Sequence, residues 1–271
     1  MSTSFAQMEI GRVALTVNDI DRMGAFYQAA IGLDLLRSDG ETALFGAGDR
    51  VLLELRSDRA ARRATPREAG LFHTAFLLPG RSDLSSWFQH AVDSRLTLAG
   101  ASDHRVSEAI YLSDPEGNGI EVYADRPRDT WRLNGSTIEM GSDALDLNGL
   151  AAAAKAPWAG APDGTVVGHV HLQVGGTAAA EAFYGDALGF ALTNRYPGAS
   201  FFGSGGYHHH LGANDWNSRG AGPRQYPATG LADVQILADA GELAAVRARN
   251  GGKTVLADPW GTALTFTGKT G

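Results

Sequence analysis

The sequence contains no cysteine, which excludes disulfide bonds and thiolate metal sites. Any bound metal must therefore be held by His, Asp or Glu side chains. No run of about 18 apolar residues is present, so no membrane span is predicted. The start of the chain, MSTSFAQMEI, lacks the basic and apolar regions of a signal peptide. We therefore expect a cytoplasmic protein that does not interact with a membrane.

Positive charge is in deficit along the chain. With 23 Lys and Arg residues against 30 Asp and Glu residues, the formal net charge is −7. Nucleic-acid-binding proteins usually carry a basic patch, so no nucleic-acid partner is expected. The hydrophobic content of 44% is that of an ordinary globular protein, and 271 residues suffice for one large or two small domains.

The chain repeats itself at a constant offset. Three motifs recur 157 residues later: Phe26-Tyr27 as Phe183-Tyr184, Ile31-Gly32-Leu33 as Leu188-Gly189-Phe190, and Phe45-Gly46 as Phe202-Gly203. A constant offset indicates a duplicated unit. The turn Asp114-Pro115-Glu116-Gly117 likewise recurs as Asp258-Pro259-Trp260-Gly261. These repeats, together with strand-like and helix-like runs in the order βαβββ, predict four such units.

The repeats also predict a domain organisation. We expect an N-terminal domain of two units at residues 7–128 and a C-terminal domain of two units at residues 164–271. Residues 129–163 break the rhythm with Gly, Pro and an Ala run, which is typical of a linker with room for one short helix.

One predicted β-hairpin carries several chemically active side chains. Its turn is Asp114-Pro115-Glu116-Gly117-Asn118-Gly119, and its strands cover residues 109–112 and 120–123. The spacing can bring His104, Tyr111 and Glu121 to one side of a sheet. The alternative is a surface hairpin whose Glu121 points to water.

The four units resemble the two-domain members of the vicinal oxygen chelate superfamily, which includes glyoxalase I, bleomycin-resistance proteins and type I extradiol ring-cleaving dioxygenases. The stretch from His104 to Glu121 is similar to the extradiol dioxygenase signature, with Ser102 as its one mild departure. Tyr-His-His-His-Leu-Gly and Asp-Arg-Pro-Arg are shared with catechol 2,3-dioxygenase-like proteins. The resemblance implies an α+β fold in which four βαβββ modules form two curled mixed sheets.

The resemblance also implies an inward position on the first strand and on the last strand of each unit. These positions are Arg12, His73, His169 and Asp233 on the first strands, and Glu54, Glu121, one of His208–His210, and Thr265 on the last strands. His73, His169 and Glu121 form a 2-His-1-carboxylate set, which suits Fe(II), with Mn(II) as an alternative. His171 is a rival ligand. The set requires unit two to pair with unit three, within one chain or across a homodimer.

The remaining site residues follow from the same resemblance. His209 corresponds to the acid–base histidine of the extradiol enzymes, although a one-residue shift would replace it with His208 or His210. Tyr111 would hydrogen-bond a catecholate oxygen, and His104 would steer substrate or product oxygen. Residues 213–229, with Trp216 and Tyr226, form either a lid or a disordered connector.

The implied function is Fe(II)-dependent extradiol cleavage of a catechol-type aromatic diol by O₂, in aromatic hydrocarbon catabolism. One alternative is a glyoxalase-type isomerase or lyase with Ni or Zn, which would use Glu54, Glu121 and His73 if units one and two pair. The other alternative is a non-catalytic binding protein of the bleomycin-resistance type, which needs no metal.

Overall fold

The structure is a computed structural model that describes residues 6–269. Residues 1–5, half of the segment examined for a signal peptide, lie outside the described residues, as do residues 270–271 at the end of the predicted C-terminal domain. Within residues 6–269, none of the helices has the length and apolar character needed to cross a membrane.

The first unit has the predicted βαβββ order. Its strands are β1 (Met8–Val17), β2 (Asp34–Ser38), β3 (Thr42–Ala47) and β4 (Arg50–Ser57). Its helix α1 (Ile20–Phe26) continues as a π-helical stretch, Tyr27–Ile31. Asp19 caps the helix by accepting a hydrogen bond from the Arg22 backbone N–H. The helical stretch ends at Gly32.

The second unit repeats this order and contains the predicted hairpin. Its elements are β5 (Gly70–Leu77), α2 (Arg81–Asp93), β6 (Leu98–Asp103), β7 (Ser107–Ser113) and β8 (Gly119–Asp125). Strands β2 and β6 are not predicted from the sequence. Both strands lack buried residues and therefore show no apolar alternation.

The predicted linker contains more structure than one short helix. Its elements are a 3₁₀ turn (Arg128–Thr130), β9 (Leu133–Asn134), β10 (Thr137–Ile138) and α3 (Leu147–Ala151). Among the described strands, β9 and β10 pair only with each other, as a separate two-stranded sheet.

The third and fourth units follow the linker. The third unit consists of β11 (Val166–Gln173), α4 (Thr177–Ala180) with a π-helical continuation (Glu181–Ala187), β12 (Ala191–Tyr196), β13 (Ala199–Gly203) and β14 (Leu211–Asn214). The fourth consists of β15 (Gly230–Ala238), α5 (Ala240–Arg249), β16 (Val255–Ala257) and β17 (Ala263–Gly268). Within the described residues this last unit has two strands after its helix instead of three.

The units combine into two large mixed sheets. The seven-stranded sheet has the order β16-β17-β15-β1-β4-β3-β2, and the eight-stranded sheet has the order β12-β13-β14-β11-β5-β8-β7-β6. Unit one therefore pairs with unit four, and unit two pairs with unit three within one chain, which confirms the pairing hypothesis. The α+β fold class with two curled mixed sheets is also confirmed. The domain boundaries at residues 128 and 164 stay a prediction.

Two buried hydrogen bonds explain why the same motifs recur in both halves. Tyr27 donates its hydroxyl to Asp114 over 3.0 Å, and Tyr184 donates its hydroxyl to Asp258 over 2.7 Å. The tyrosines belong to the repeated Phe-Tyr pairs, and the aspartates begin the repeated Asp-Pro turns. Burial raises the pKa of both carboxyl groups. Each bond connects a helix of one sheet to a turn of the other.

We expect Tyr184→Phe to lower the free energy of unfolding by about 1–3 kcal/mol, because the buried Asp258 carboxyl loses a hydrogen-bond donor. Urea unfolding followed by circular dichroism measures this change. The matched control is Tyr196→Phe at a site that is 58% exposed, where a change below about 0.5 kcal/mol is expected. Equal losses in the two variants would contradict the proposed role of the Tyr184–Asp258 bond.

Candidate metal centre

Three neighbouring strands position His73, Glu121 and His169. β5 lies between β8 and β11 in the sheet. In the strand register, Ala75 of β5 is opposite Glu121 on one side and opposite His169 on the other. His73 lies two residues before Ala75, on the same face of the sheet. The pairing of units two and three therefore brings the predicted set together.

The three side chains converge on one point. His73 Nε2 is 3.3 Å from His169 Nε2 and 3.0 Å from Glu121 Oε2, and His169 Nε2 is 3.3 Å from that same oxygen. All three residues are buried. Ligands on one face of an octahedral ion, with bonds of about 2.1–2.2 Å, lie about 3.0 Å apart. The observed separations match this spacing.

A carboxylate oxygen without a hydrogen-bond partner at the same point also favours a bound cation. Glu121 Oε1 is buried and has no hydrogen-bond partner among residues 6–269. An unsatisfied buried carboxylate oxygen is costly, and a divalent cation would compensate it. Within the described part of the chain, the set of His73, Glu121 and His169 is the group of His and acidic residues close enough to hold a metal ion. The residues present therefore fit a divalent metal.

The protonation states agree with this role. Burial raises the pKa of Glu121, but the interactions with His169 and His73 outweigh it and hold that pKa well below the usual range. Burial lowers the pKa of His169 to about 4. Metal ligands must be deprotonated, and an ionised Glu121 and a neutral His169 meet this requirement.

A glycine of the hairpin turn allows the close strand contact. Gly119 is opposite His73 in the parallel pairing of β5 and β8. A Cβ at this position would lie 2.0 Å from the Phe72 carbonyl oxygen. Only glycine therefore fits at this position of the strand pair.

The histidine triplet does not lie where the 157-residue offset places it. His208, His209 and His210 precede β14, so the prediction that one of them holds the last-strand position of unit three is wrong. In unit two, Glu121 is opposite Ala75, which lies two residues after His73. In unit three, the residue two after His169 is His171, and its opposite residue is Gly212. Gly212 therefore holds the last-strand position of unit three.

The cause is one extra residue between β13 and β14. Phe45 is opposite Leu53 in unit one, whereas Phe202 is opposite Leu211 in unit three, so the offset rises from 157 to 158 residues within the unit. A Cβ at Gly212 would lie 3.0 Å from the His171 ring, so the structure offers no fourth ligand there.

His209 is the member of the triplet that faces the candidate metal centre. Its ring centroid lies 4.2 Å from that of His169, and it lines the adjoining cavity. His210 instead contacts Phe190 and accepts a hydrogen bond from the Ser204 backbone N–H. Burial, followed by the neighbouring His169, holds the pKa of His209 well below its usual value. His209 is therefore a neutral imidazole beside the metal centre.

Tyr111 and His104 also line this cavity. Tyr111 is directly opposite Glu121 in the hairpin. The Tyr111 hydroxyl is 2.5 Å from His104 Nε2, and His104 Nδ1 is 2.6 Å from the Gly141 carbonyl oxygen. Because a carbonyl only accepts, His104 carries a proton on Nδ1, and its Nε2 accepts a hydrogen bond from the Tyr111 hydroxyl. Burial, followed by the charge of Glu121, raises the pKa of Tyr111.

The equivalent positions of the seven-stranded sheet carry paired charges instead of a metal set. Arg12 Nε lies 2.7 Å from Glu54 Oε2 and Arg12 Nη1 lies 3.4 Å from Asp233 Oδ2. Arg56 Nε lies 2.6 Å from Glu54 Oε1. Thr265 donates to Asp233 over 2.7 Å. A guanidinium group thus neutralises these carboxylates.

This arrangement bears on the glyoxalase-type alternative. That alternative needs Glu54 beside Glu121 and His73, which requires units one and two to pair. Glu54 belongs to the other sheet and forms salt bridges with Arg12 and Arg56. The structure therefore does not bring this ligand set together.

A cavity of about 410 Å³ opens beside the candidate metal centre. Its apolar and aromatic lining consists of Phe72, Val106, Met140, Tyr196, Phe201 and Trp216. The rival ligand His171 also lines it, but stands outside the set of converging ligand atoms. Met140, Gly141 and Ser142 also line it. They are not predicted from the sequence, because nothing in the linker composition marks them as part of a cavity wall.

Only part of the predicted lid reaches this cavity. Trp216 lines it, whereas Tyr226 is 53% exposed and donates its hydroxyl to the Gly261 carbonyl oxygen. The segment begins as part of β14, so it is not a disordered connector at its start. Closure over a substrate stays a prediction.

Comparison with known proteins agrees with the fold. The Glyoxalase/Bleomycin resistance protein/Dioxygenase superfamily matches residues 9–122 and 166–266. A protein named catechol-2,3-dioxygenase from Bacillus subtilis (strain 168) is 40% identical over 237 residues, which is 85% of this chain and 83% of that protein. The resemblance to catechol 2,3-dioxygenase-like proteins is thereby confirmed.

Two solved structures share the fold. A candidate dioxygenase from Bacillus subtilis subsp. subtilis str. 168 has a TM-score of 0.64 and 11% identity, over 99% of this chain and 87% of that chain. Glyoxalase I from Zea mays has a TM-score of 0.58 and 16% identity, over 96% of this chain and 92% of that chain. With its two matched regions and its 40% identical relative, the chain belongs to the Glyoxalase/Bleomycin resistance protein/Dioxygenase superfamily, among the catechol-2,3-dioxygenase-like members.

Proposed function

We propose that the protein is an Fe(II)-dependent extradiol dioxygenase that cleaves a catechol-type aromatic diol with O₂. The convergence of His73, His169 and Glu121 within 3.0–3.3 Å of one another carries this proposal. Two imidazoles and one carboxylate on one face are the ligand set of non-haem Fe(II) oxygenases. The name of the 40% identical relative supports the same substrate class.

The metal and the protein have separate tasks in this proposal. When bound, Fe(II) would supply Lewis acidity for the diol and the one-electron chemistry that O₂ requires. His209, a neutral imidazole at the cavity wall, would accept the proton that the diol loses. Tyr111, whose pKa is raised by burial and then by Glu121, keeps its proton. Because it donates that proton to His104 in a hydrogen bond, its oxygen can accept a hydrogen bond from a substrate hydroxyl. His104 orients that phenol.

The shape and polarity of the cavity favour an uncharged aromatic ring. Phe72, Phe201 and Trp216 provide faces and edges against which a ring can pack. Of the described residues that line the cavity, none is Lys or Arg. A carboxylate on the substrate ring would therefore be buried without a cationic partner.

Metal retention tests the ligand assignment. After anaerobic loading with Fe(II) and gel filtration, we expect about one iron per wild-type chain. Glu121→Gln is expected to weaken iron binding by at least about tenfold, the scale seen even for outer-shell partners. Iron content is measured by atomic emission.

Matched variants control this test. Glu54→Gln changes the equivalent acid of the other sheet, and we expect it to retain the metal. His171→Asn should likewise retain it, whereas His169→Asn should not. Retention by Glu121→Gln, or loss in Glu54→Gln, would refute the ligand assignment.

Turnover tests the role of His209. We expect His209→Ala to keep its iron but to lose about 10²- to 10⁴-fold in kcat, the usual contribution of a general base. The yellow ring-fission product is followed by absorbance while iron content is measured on the same sample. Undiminished turnover in His209→Ala would show that another group removes the proton.

Substrate charge tests the description of the cavity. We expect kcat/KM for 3,4-dihydroxybenzamide to exceed that for 3,4-dihydroxybenzoate by at least about 100-fold, because about 2.7 kcal/mol is a modest cost for an unpaired buried carboxylate. The two compounds have nearly the same shape and differ in charge, so each controls for the other. Equal values, measured by oxygen uptake, would mean that the ring substituent does not enter this cavity.

A further inference from the structure

A line of hydrogen bonds extends from Asp125 to the cavity. His208 Nε2 lies 2.9 Å from Asp125 Oδ1, and His208 Nδ1 lies 2.8 Å from His209 Nδ1. His208 is fully buried and the Asp125 side chain is 9% exposed. Asp125 ends β8, the strand that also carries Glu121. The same strand therefore supports both the candidate metal centre and the residues behind His209.

The direction of each bond follows from what each atom can do. An ionised carboxylate only accepts, so His208 must carry its proton on Nε2. In the neutral form of His208 the other nitrogen, Nδ1, is unprotonated and accepts a hydrogen bond from His209 Nδ1. His209 is left with an unprotonated Nε2, because a neutral imidazole has one N–H. This nitrogen is the atom able to accept a proton in the cavity.

Neighbouring groups hold this arrangement in place. The Tyr207 hydroxyl donates to Asp125 Oδ1 over 3.3 Å, and it is 2.7 Å from the Tyr123 hydroxyl. The ring centroid of Tyr207 lies 4.1 Å from that of His208. Thr193 donates to the His208 carbonyl oxygen over 2.5 Å. The ring of His208 is therefore fixed by packing and by its backbone as well as by Asp125.

We propose that Asp125 and His208 are positioning residues that hold His209 in the tautomer with a proton on Nδ1 and none on Nε2. The hydrogen bond made by one imidazole nitrogen determines the protonation of the other. Neither residue is among those that line the cavity. The catalytic consequence, a base that is ready before substrate binds, rests on the proposed function. The tautomer itself does not rest on it.

Nitrogen NMR tests the tautomer without any turnover. Protein labelled with ¹⁵N-histidine is examined without metal by long-range ¹H–¹⁵N correlation, and His209 is assigned by comparison with His209→Asn. In the wild type we expect His209 Nδ1 to be protonated and Nε2 to be unprotonated. In Asp125→Ala we expect a substantial population of His209 with its proton on Nε2. Asp125→Glu should restore the wild-type pattern.

The matched control is Tyr207→Phe. It removes a hydrogen bond from the same Asp125 oxygen but leaves the hydrogen bonds between Asp125, His208 and His209 intact. We expect it to preserve the tautomer of His209. A wild-type His209 with its proton on Nε2 would overturn the proposal. So would an Asp125→Ala spectrum in which His209 remains fully protonated on Nδ1.

Kinetics separate this proposal from the proposed function. On the iron-loaded enzyme we expect Asp125→Ala to lower kcat about 10- to 100-fold, with iron content and the KM for catechol changed by less than about threefold. A merely structural defect would alter KM and iron content as well. If wild-type protein has the expected tautomer but cleaves no diol, the proposed function fails while the tautomer assignment stands.

Discussion

The antiparallel pairing of β5 with β11 is the constraint on which the candidate metal centre depends. This contact joins the two halves of the chain and brings His73 and His169 to within 3.3 Å. A shift of the pairing by one residue would turn every side chain of a strand to the opposite face of the sheet. The register is held by buried apolar residues on both strands, including Phe76 and Val170. Packing energy in the sheet therefore determines the geometry of the ligands.

The two large sheets use the same positions for different purposes. In the eight-stranded sheet, one carboxylate and two imidazoles leave a place that fits a divalent cation. In the seven-stranded sheet, Arg12 brings its own positive charge to Glu54 and Asp233. Buried carboxylates require a compensating charge in either case. The duplicated units thus form two similar sheets. The side chains on the first strands of the units determine which sheet can hold a metal.

Much of the fold and the triad could be predicted from the sequence, because repeated motifs mark residues with a fixed structural task. Tyr27 and Tyr184 recur because each donates to a buried aspartate. The position of the histidine triplet was harder to predict, since one added residue before β14 changes the register and leaves no trace in the motif itself. The linker segment around Met140, which lines the cavity, has no periodic sequence pattern. Its place depends on tertiary contacts that single-sequence patterns do not contain.

The most direct test of the account is a crystal structure of the chain loaded anaerobically with Fe(II), with the iron located by anomalous scattering. We predict one iron peak within about 2.0–2.3 Å of His73 Nε2, His169 Nε2 and a carboxylate oxygen of Glu121, the range of metal–nitrogen and metal–oxygen bonds. A peak bound by other residues, or none at this point despite stoichiometric iron, would contradict the central claim.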